Sequence, residues 1–178
     1  MAINWISEEV LYASSDPFTL GPSDIDRLKS LAEETDRQRI RICTHKDADD
    51  GLHEMFIVHP RGAYVRPHRH LDKTEAFYMV EGTLDMVVFN DDGDITSVTE
   101  MGAYGSGLPF YHRMDSPLFH TMLIKSDQVL FHEVTNGPFV RSDTEFPEWA
   151  PAESDRREMA AFLDGLASAI DQFTARSE

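Results

Sequence analysis

From Arg39 to Glu133 apolar residues recur at every second position in short runs, and each run is cut by a cluster of Gly, Asp, Asn or Pro. A period of two is the spacing of side chains on one face of an extended strand, so the pattern calls for stacked or rolled β-sheet. Ile40 and Ile42 share one face of the first run, while Arg39, Arg41, Cys43 and His45 share the other. A turn at Asp47-Ala48-Asp49-Asp50-Gly51 leads to a strand from His53 to His59, which ends at Pro60-Arg61-Gly62. Further runs at Glu75–Val80, Thr83–Phe89 and Ile95–Thr99 are separated by Gly82 and by Asn90-Asp91-Asp92-Gly93-Asp94. That acidic turn lacks the spacing of an EF-hand loop and reads as a plain hairpin. Many short strands between such turns predict an all-β sandwich or barrel.

The two ends follow another period. Gly21-Pro22-Ser23-Asp24 is a turn that opens a helix, and Ile25, Leu28, Leu31 and Ala32 recur at helical spacing up to Thr35. Residues 139–151 are rich in Pro and acidic side chains and read as an extended arm. A stripe of Met159, Phe162, Leu163, Leu166, Ile170 and Phe173 then predicts an amphipathic helix. The expected division is an N-terminal extension with a short helix (1–38), a barrel (39–140), and a C-terminal arm and helix (141–178).

One string carries the chemistry: Gly62-x5-His68-x-His70-x4-Glu75-x6-Gly82. Alternation sends Tyr64, Arg66, His68 and His70 to one side. Leu71-Asp72-Lys73-Thr74 is turn-like, so a β-hairpin is expected to bring Glu75 beside the two imidazoles. Neutral imidazole and carboxylate suit a divalent transition ion and leave coordination positions open.

These positions resemble the first sequence motif of the cupins, matched at each fixed place: Gly62, His68, His70, Glu75 and Gly82. More narrowly the chain resembles the WbuC-type cupin-fold metalloproteins, through Arg41-x-Cys43-x-His45, Glu54-Met55, Arg66-Pro67-His68-Arg69-His70, Phe119-His120-Thr121, Glu133, Gly137-Pro138-Phe139 and Trp149-Ala150-Pro151. The resemblance implies a double-stranded β-helix, or jelly-roll barrel, with one metal ion in its mouth. It implies His68, His70, Glu75 and a later histidine as ligands. His120 is preferred for that place, because it opens an apolar strand that a turn at Lys125–Gln128 is expected to fold onto Val129–Phe131 as a hairpin; His112 is the competitor. The ion, whether Fe, Mn, Zn, Ni or Co, is not distinguished by the ligand string. By analogy with cupins, the terminal apolar stripes also imply a homodimer.

Composition bounds the partners. With 178 residues the chain fits one domain, and its net charge of -16, from 32 acidic against 16 basic residues, argues against nucleic acid. A single cysteine, Cys43, excludes an internal disulfide and fits a reducing compartment. The start lacks a basic and apolar leader, and no run approaches the ~18 apolar residues of a membrane span. A cytoplasmic protein is therefore expected.

Function is expected to be a metal-dependent enzyme, an isomerase or lyase or else a dioxygenase, acting on a small anionic and carbohydrate-derived molecule. The alternative is a non-catalytic ligand-binding or sensing cupin with a structural metal. Arg41 and Arg66 are candidate clamps for the anion, since a guanidinium binds carboxylate or phosphate through two parallel bonds. Glu133 is a candidate base or a partner that orients a ligand.

Overall fold

The computed structural model describes residues 1–176, and in it the period-two runs form strands while the terminal stripes form helices. In chain order these are β1 (Ile3–Trp5), β2 (Val10–Ala13), α1 (Pro22–Glu34), β3 (Ile40–Cys43), β4 (Leu52–Pro60), β5 (Arg69–His70), β6 (Glu75–Glu81), β7 (Thr83–Phe89), β8 (Ile95–Gly102), β9 (Tyr111–Met114), β10 (Phe119–Ile124), β11 (Gln128–Asn136), β12 (Thr144–Glu145) and α2 (Arg156–Ala175). Pro22 opens α1 because its fixed φ suits the first helical position. The Gly21 amide there donates to the Asp24 carboxylate at 2.9 Å. Asp155 caps α2 by accepting from the Glu158 amide at 3.0 Å.

Two sheets face each other. The larger has seven strands in the order β1-β2-β3-β4-β11-β6-β9, and the smaller has three, β10-β7-β8. Strand alternation decides what lies between them. Cys43, Met55, Ile57, Phe77, Met79, Phe131 and Met114 point inward from the large sheet, and Leu84, Met86, Val88, Met122 and Ile124 meet them from the small one. The opposite face of the large sheet carries Ile40, Ile42, Val58 and Leu130, which pack on Leu28 and Ala32 of α1. Val87, Phe89 and Phe119 on the outer face of the small sheet pack on Leu166 and Ile170 of α2. Four layers result: helix, large sheet, small sheet, helix. Because both of its faces are covered, β7 is buried along nearly its whole length.

Residues 1–38 join the large sheet directly: β2 runs parallel to β3, and β1 lies outside it. The expected arm between β11 and α2 is irregular apart from one 3-10 turn at Arg141–Asp143 and the two residues of β12.

Two expected hairpins are absent, for one reason. The strand bearing His70 pairs with β12 rather than with β6, and β6 lies between β11 and β9. Likewise β10 pairs with β7, while β11 pairs with β4 and β6, so the 125–127 turn carries the chain from one sheet to the other. Neighbours in sequence thus lie across the sandwich. Period alone cannot distinguish a turn within a sheet from a crossing between sheets, since both leave an apolar face inward. Gly82 stands at such a crossing with φ +81°, where an added Cβ would come within 2.3 Å of the Gln128 carbonyl oxygen.

Candidate metal centre

Four side chains converge at one end of the space between the sheets, and strand alternation explains three of them. Glu75 lies on the same face of β6 as the buried Phe77 and Met79. His120 lies on the same face of β10 as Met122 and Ile124. His68 stands before β5 and is tied to His120 by a two-residue bridge, and His70 follows two residues on, on the same side. Pro67 contributes no backbone donor, which matches the short, isolated ladder there.

Ligand atoms of His68, Glu75 and His120 all lie within 4.8 Å of one another. His70 adjoins this triad through the carboxylate, with Nε2 3.2 Å from Glu75 Oε1, while His120 Nε2 is 3.5 Å from Oε2. The carboxylate of the large sheet is thus flanked by imidazoles from the other side. Of the two later histidines, His120 joins the triad. His112 sits opposite Phe77 on β9, and its Nε2 is buried with no hydrogen-bond partner among the described residues.

The rings are held by their far nitrogens. Nδ1 of His68 lies 2.8 Å from the Arg66 carbonyl, and Nδ1 of His120 lies 3.0 Å from the Leu118 carbonyl. A carbonyl only accepts, so in each ring the proton sits on Nδ1 and the lone pair of Nε2 faces the centre. Nδ1 of His70 is held at 3.0 Å by the hydroxyl of Thr144.

Electrostatics keep the donors in ligating form. Burial, reinforced by His120, pushes His68 down to about 3. Burial also lowers His120, against the pull of Glu75. For Glu75 burial opposes ionisation, but the hydrogen bond from His70 and the adjacent imidazoles outweigh it and hold the carboxyl below its ordinary range. Neutral nitrogens oriented by partners behind them, with one carboxylate, are a donor set that fits a divalent transition ion.

The surrounding wall is polar on one side. Glu133 faces Phe77 across β11 and β6, and burial together with Glu75 pushes its carboxyl up to about 8, with Arg41 and Lys73 pulling the other way. Arg41 lies on the same face of β3 as the buried Cys43 and is exposed. Arg66 is engaged elsewhere: Nη2 donates to the Ala150 carbonyl at 3.1 Å, and the guanidinium lies 4.6 Å above the Phe146 ring. Thr144 and Phe146 escaped sequence reasoning. They come from the arm, whose partner lies more than 70 residues earlier, and no local period marks them.

A family model described as a domain of unknown function (DUF6016) matches residues 20–101, which include His68, His70 and Glu75 but not His120. No curated protein matches the chain. Among solved structures, the capsular polysaccharide assembling protein CapF from Staphylococcus aureus superposes with a TM-score of 0.51 and 21% identity, covering 64% of this chain and 33% of that one. A second CapF crystal structure gives a TM-score of 0.50 at 21% identity, over 64% and 30% of the respective chains. The fold is that of the cupins. Oxalate decarboxylase from Bacillus subtilis is also similar, with a TM-score of 0.45 and 19% identity over 55% of this chain and 24% of that one. The matched part of this chain therefore spans about a third or less of those proteins. Among the described residues no helix is long and apolar enough to cross a membrane.

Proposed function

We propose that this cupin holds one divalent transition ion through His68, His70, Glu75 and His120 and is an enzyme acting on a small anionic, carbohydrate-derived molecule. The observation that carries the reading is the convergence of the Glu75 carboxylate with imidazoles whose Nδ1 atoms are already engaged. A bound ion would supply Lewis acidity toward a carbonyl or hydroxyl of the substrate. Isomerase or lyase chemistry uses that directly, and an iron-loaded protein would extend it to dioxygenase chemistry.

The chain's own residues supply the remainder. Arg41, exposed on the inner face of β3, is suited to clamp a carboxylate or phosphate. Glu133, held protonated near neutrality, can donate a proton to a substrate oxygen and retrieve it. Phe77, opposite Glu133, and Phe131 on the same face make the surroundings of that carboxyl less polar, which favours its protonated form. Arg66 is retained as a candidate anion contact at the rim, beside Phe146. The finer kinship with WbuC-type cupins, a cytoplasmic location, a homodimer, and the lack of nucleic-acid and membrane partners belong to the same proposal.

Elemental analysis of protein purified without added metal tests the first half. About one ion per chain in the wild type and none after His68→Ala supports it. Turnover of sugar acids or sugar phosphates, with and without O2, tests the second. A metal-loaded protein inert to all of these, but binding one of them, would instead be the non-catalytic ligand-binding cupin.

A further inference from the structure

The imidazoles of the centre are not held alike. His68 and His120 rest on carbonyls, which fix the proton on Nδ1. His70 rests on the Thr144 hydroxyl at 3.0 Å, a group that both donates and accepts, and its Nε2 faces the Glu75 carboxylate at 3.2 Å. When Nε2 carries the proton toward Glu75, Thr144 donates to Nδ1. When the proton sits on Nδ1, the same hydroxyl accepts a hydrogen bond from it and Nε2 becomes free to ligate. A single side chain thus supports the ring in both roles.

Thr144 reaches the site only because the arm is docked there. Its neighbours grip the segments that bear the other ligands. The Asp143 carbonyl accepts from the Leu71 amide at 2.9 Å, and Glu145 accepts from Arg69 Nε at 2.7 Å. Arg69 in turn lies 4.3 Å above the ring of Phe119, the residue before His120. Phe146 lies 6.2 Å from the His68 ring.

We infer that Thr144 is a positioning residue for the His70 imidazole, so that docking of residues 143–150 and metal occupancy of the site strengthen each other. The inference rests on the metal reading above. Coupling of this kind is reciprocal: whatever factor the docked arm adds to metal affinity, the metal adds to arm docking.

Cobalt(II) titration of the metal-free protein, followed by visible absorption, tests the first half. Thr144→Val, nearly the same shape but without the hydroxyl, is expected to bind Co2+ roughly ten- to a hundredfold more weakly, the usual loss when a partner behind a ligand is removed. Thr144→Ser is expected to restore affinity and spectrum. Hydrogen exchange at the Leu71 amide, which bonds to the arm, reads the second half: saturating Co2+ slows it in the wild type and slows it less in Thr144→Val. If Thr144→Val undocks the arm even without metal, Leu71 exchanges fast in that variant, and restoration of both readouts by Thr144→Ser sustains the inference. Wild-type affinity in Thr144→Val, failure of Thr144→Ser to restore, or a wild-type Leu71 amide indifferent to Co2+ overturns it while leaving the metal reading intact. Equal Co2+ binding by wild type and His68→Ala sinks the metal reading, and the inference with it.

Discussion

The His68 amide donates to the His120 carbonyl at 3.1 Å, and the His120 amide returns the bond to the His68 carbonyl at 2.9 Å. Two proposed ligands, 52 positions apart in sequence, are thereby locked into one narrow pair with their rings 4.5 Å apart. The bridge fixes the spacing of the centre before any ion enters. Glu75 completes it from the opposite sheet, so the centre joins two sheets that share no ladder between β6 and β10.

An ion held there should stabilise the fold. Metal at a thousand times its dissociation constant adds about 4 kcal/mol. For a chain of 178 residues that raises the melting temperature by roughly 10 °C. Scanning calorimetry with and without a chelator is expected to show this shift in the wild type and to show none in His120→Ala.

Acid should weaken the protein through His59, buried near the end of β4. Its Nδ1 has no partner among the described residues, and burial, aided by nearby Arg39, pushes the imidazole down to about 4. The folded state therefore binds this proton less readily than the unfolded chain, whose histidine titrates near 6.5. Stability from this group is complete above that value and is lost as pH falls toward 4, by up to about 3 kcal/mol. Urea midpoints measured from pH 7 to 4.5 should fall less steeply in His59→Phe than in the wild type.

Glu9 anchors the N-terminal strands. Burial alone would raise its pKa, but hydrogen bonds from Arg37 and Arg39 win and hold the carboxyl below its ordinary range. Both arginines also reach Glu153 ahead of α2, at 2.7 Å and 3.1 Å. Glu9→Gln should cost about 2 kcal/mol, less than the 3–5 typical of a fully buried pair, because Arg37 is 48% exposed. Equilibrium urea unfolding should report a lower midpoint with an unchanged slope.

Gly82→Ala is expected to be among the most damaging single-methyl changes in the sandwich. The backbone there is left-handed, and the methyl would collide with the Gln128 carbonyl, which cannot retreat without disturbing the start of β11. A loss of about 3 kcal/mol follows from the clash and the strain together. Thermal melts of the purified variant should show it, with the proposed ligands themselves unchanged.

Much of this architecture is legible in the residues, and the illegible part has a physical cause. Ile40 and Ile42 on one face, with Cys43 on the other, do divide between the α1 layer and the space between the sheets. The helical stripes at both ends form α1 and α2 where their spacing puts them, and Thr83–Phe89 and Ile95–Thr99 do pair as a hairpin. The two misplaced hairpins, at 71–74 and 125–127, arise because a jelly roll sends consecutive strands to opposite sheets, a long-range choice that a local period of two does not encode. For the site, His120 turns inward with Met122 by alternation along β10, although the hairpin onto Val129–Phe131 on which its preference rests does not form. Thr144 remained hidden because its partner, His70, is 74 residues away, and a threonine in an irregular segment carries no periodic mark.

Six of the side chains sealed between the sheets are methionines: Met55, Met79, Met86, Met101, Met114 and Met122. Their unbranched thioethers pack without rigid shape, which lets the interior mould itself around the polar end of the sandwich. The same softness makes this layer vulnerable to peroxide. Each sulfoxide formed there would leave a strongly polar oxygen without a partner in the middle of the sandwich, so oxidative ageing should split the protein from within while its outer helices are still intact.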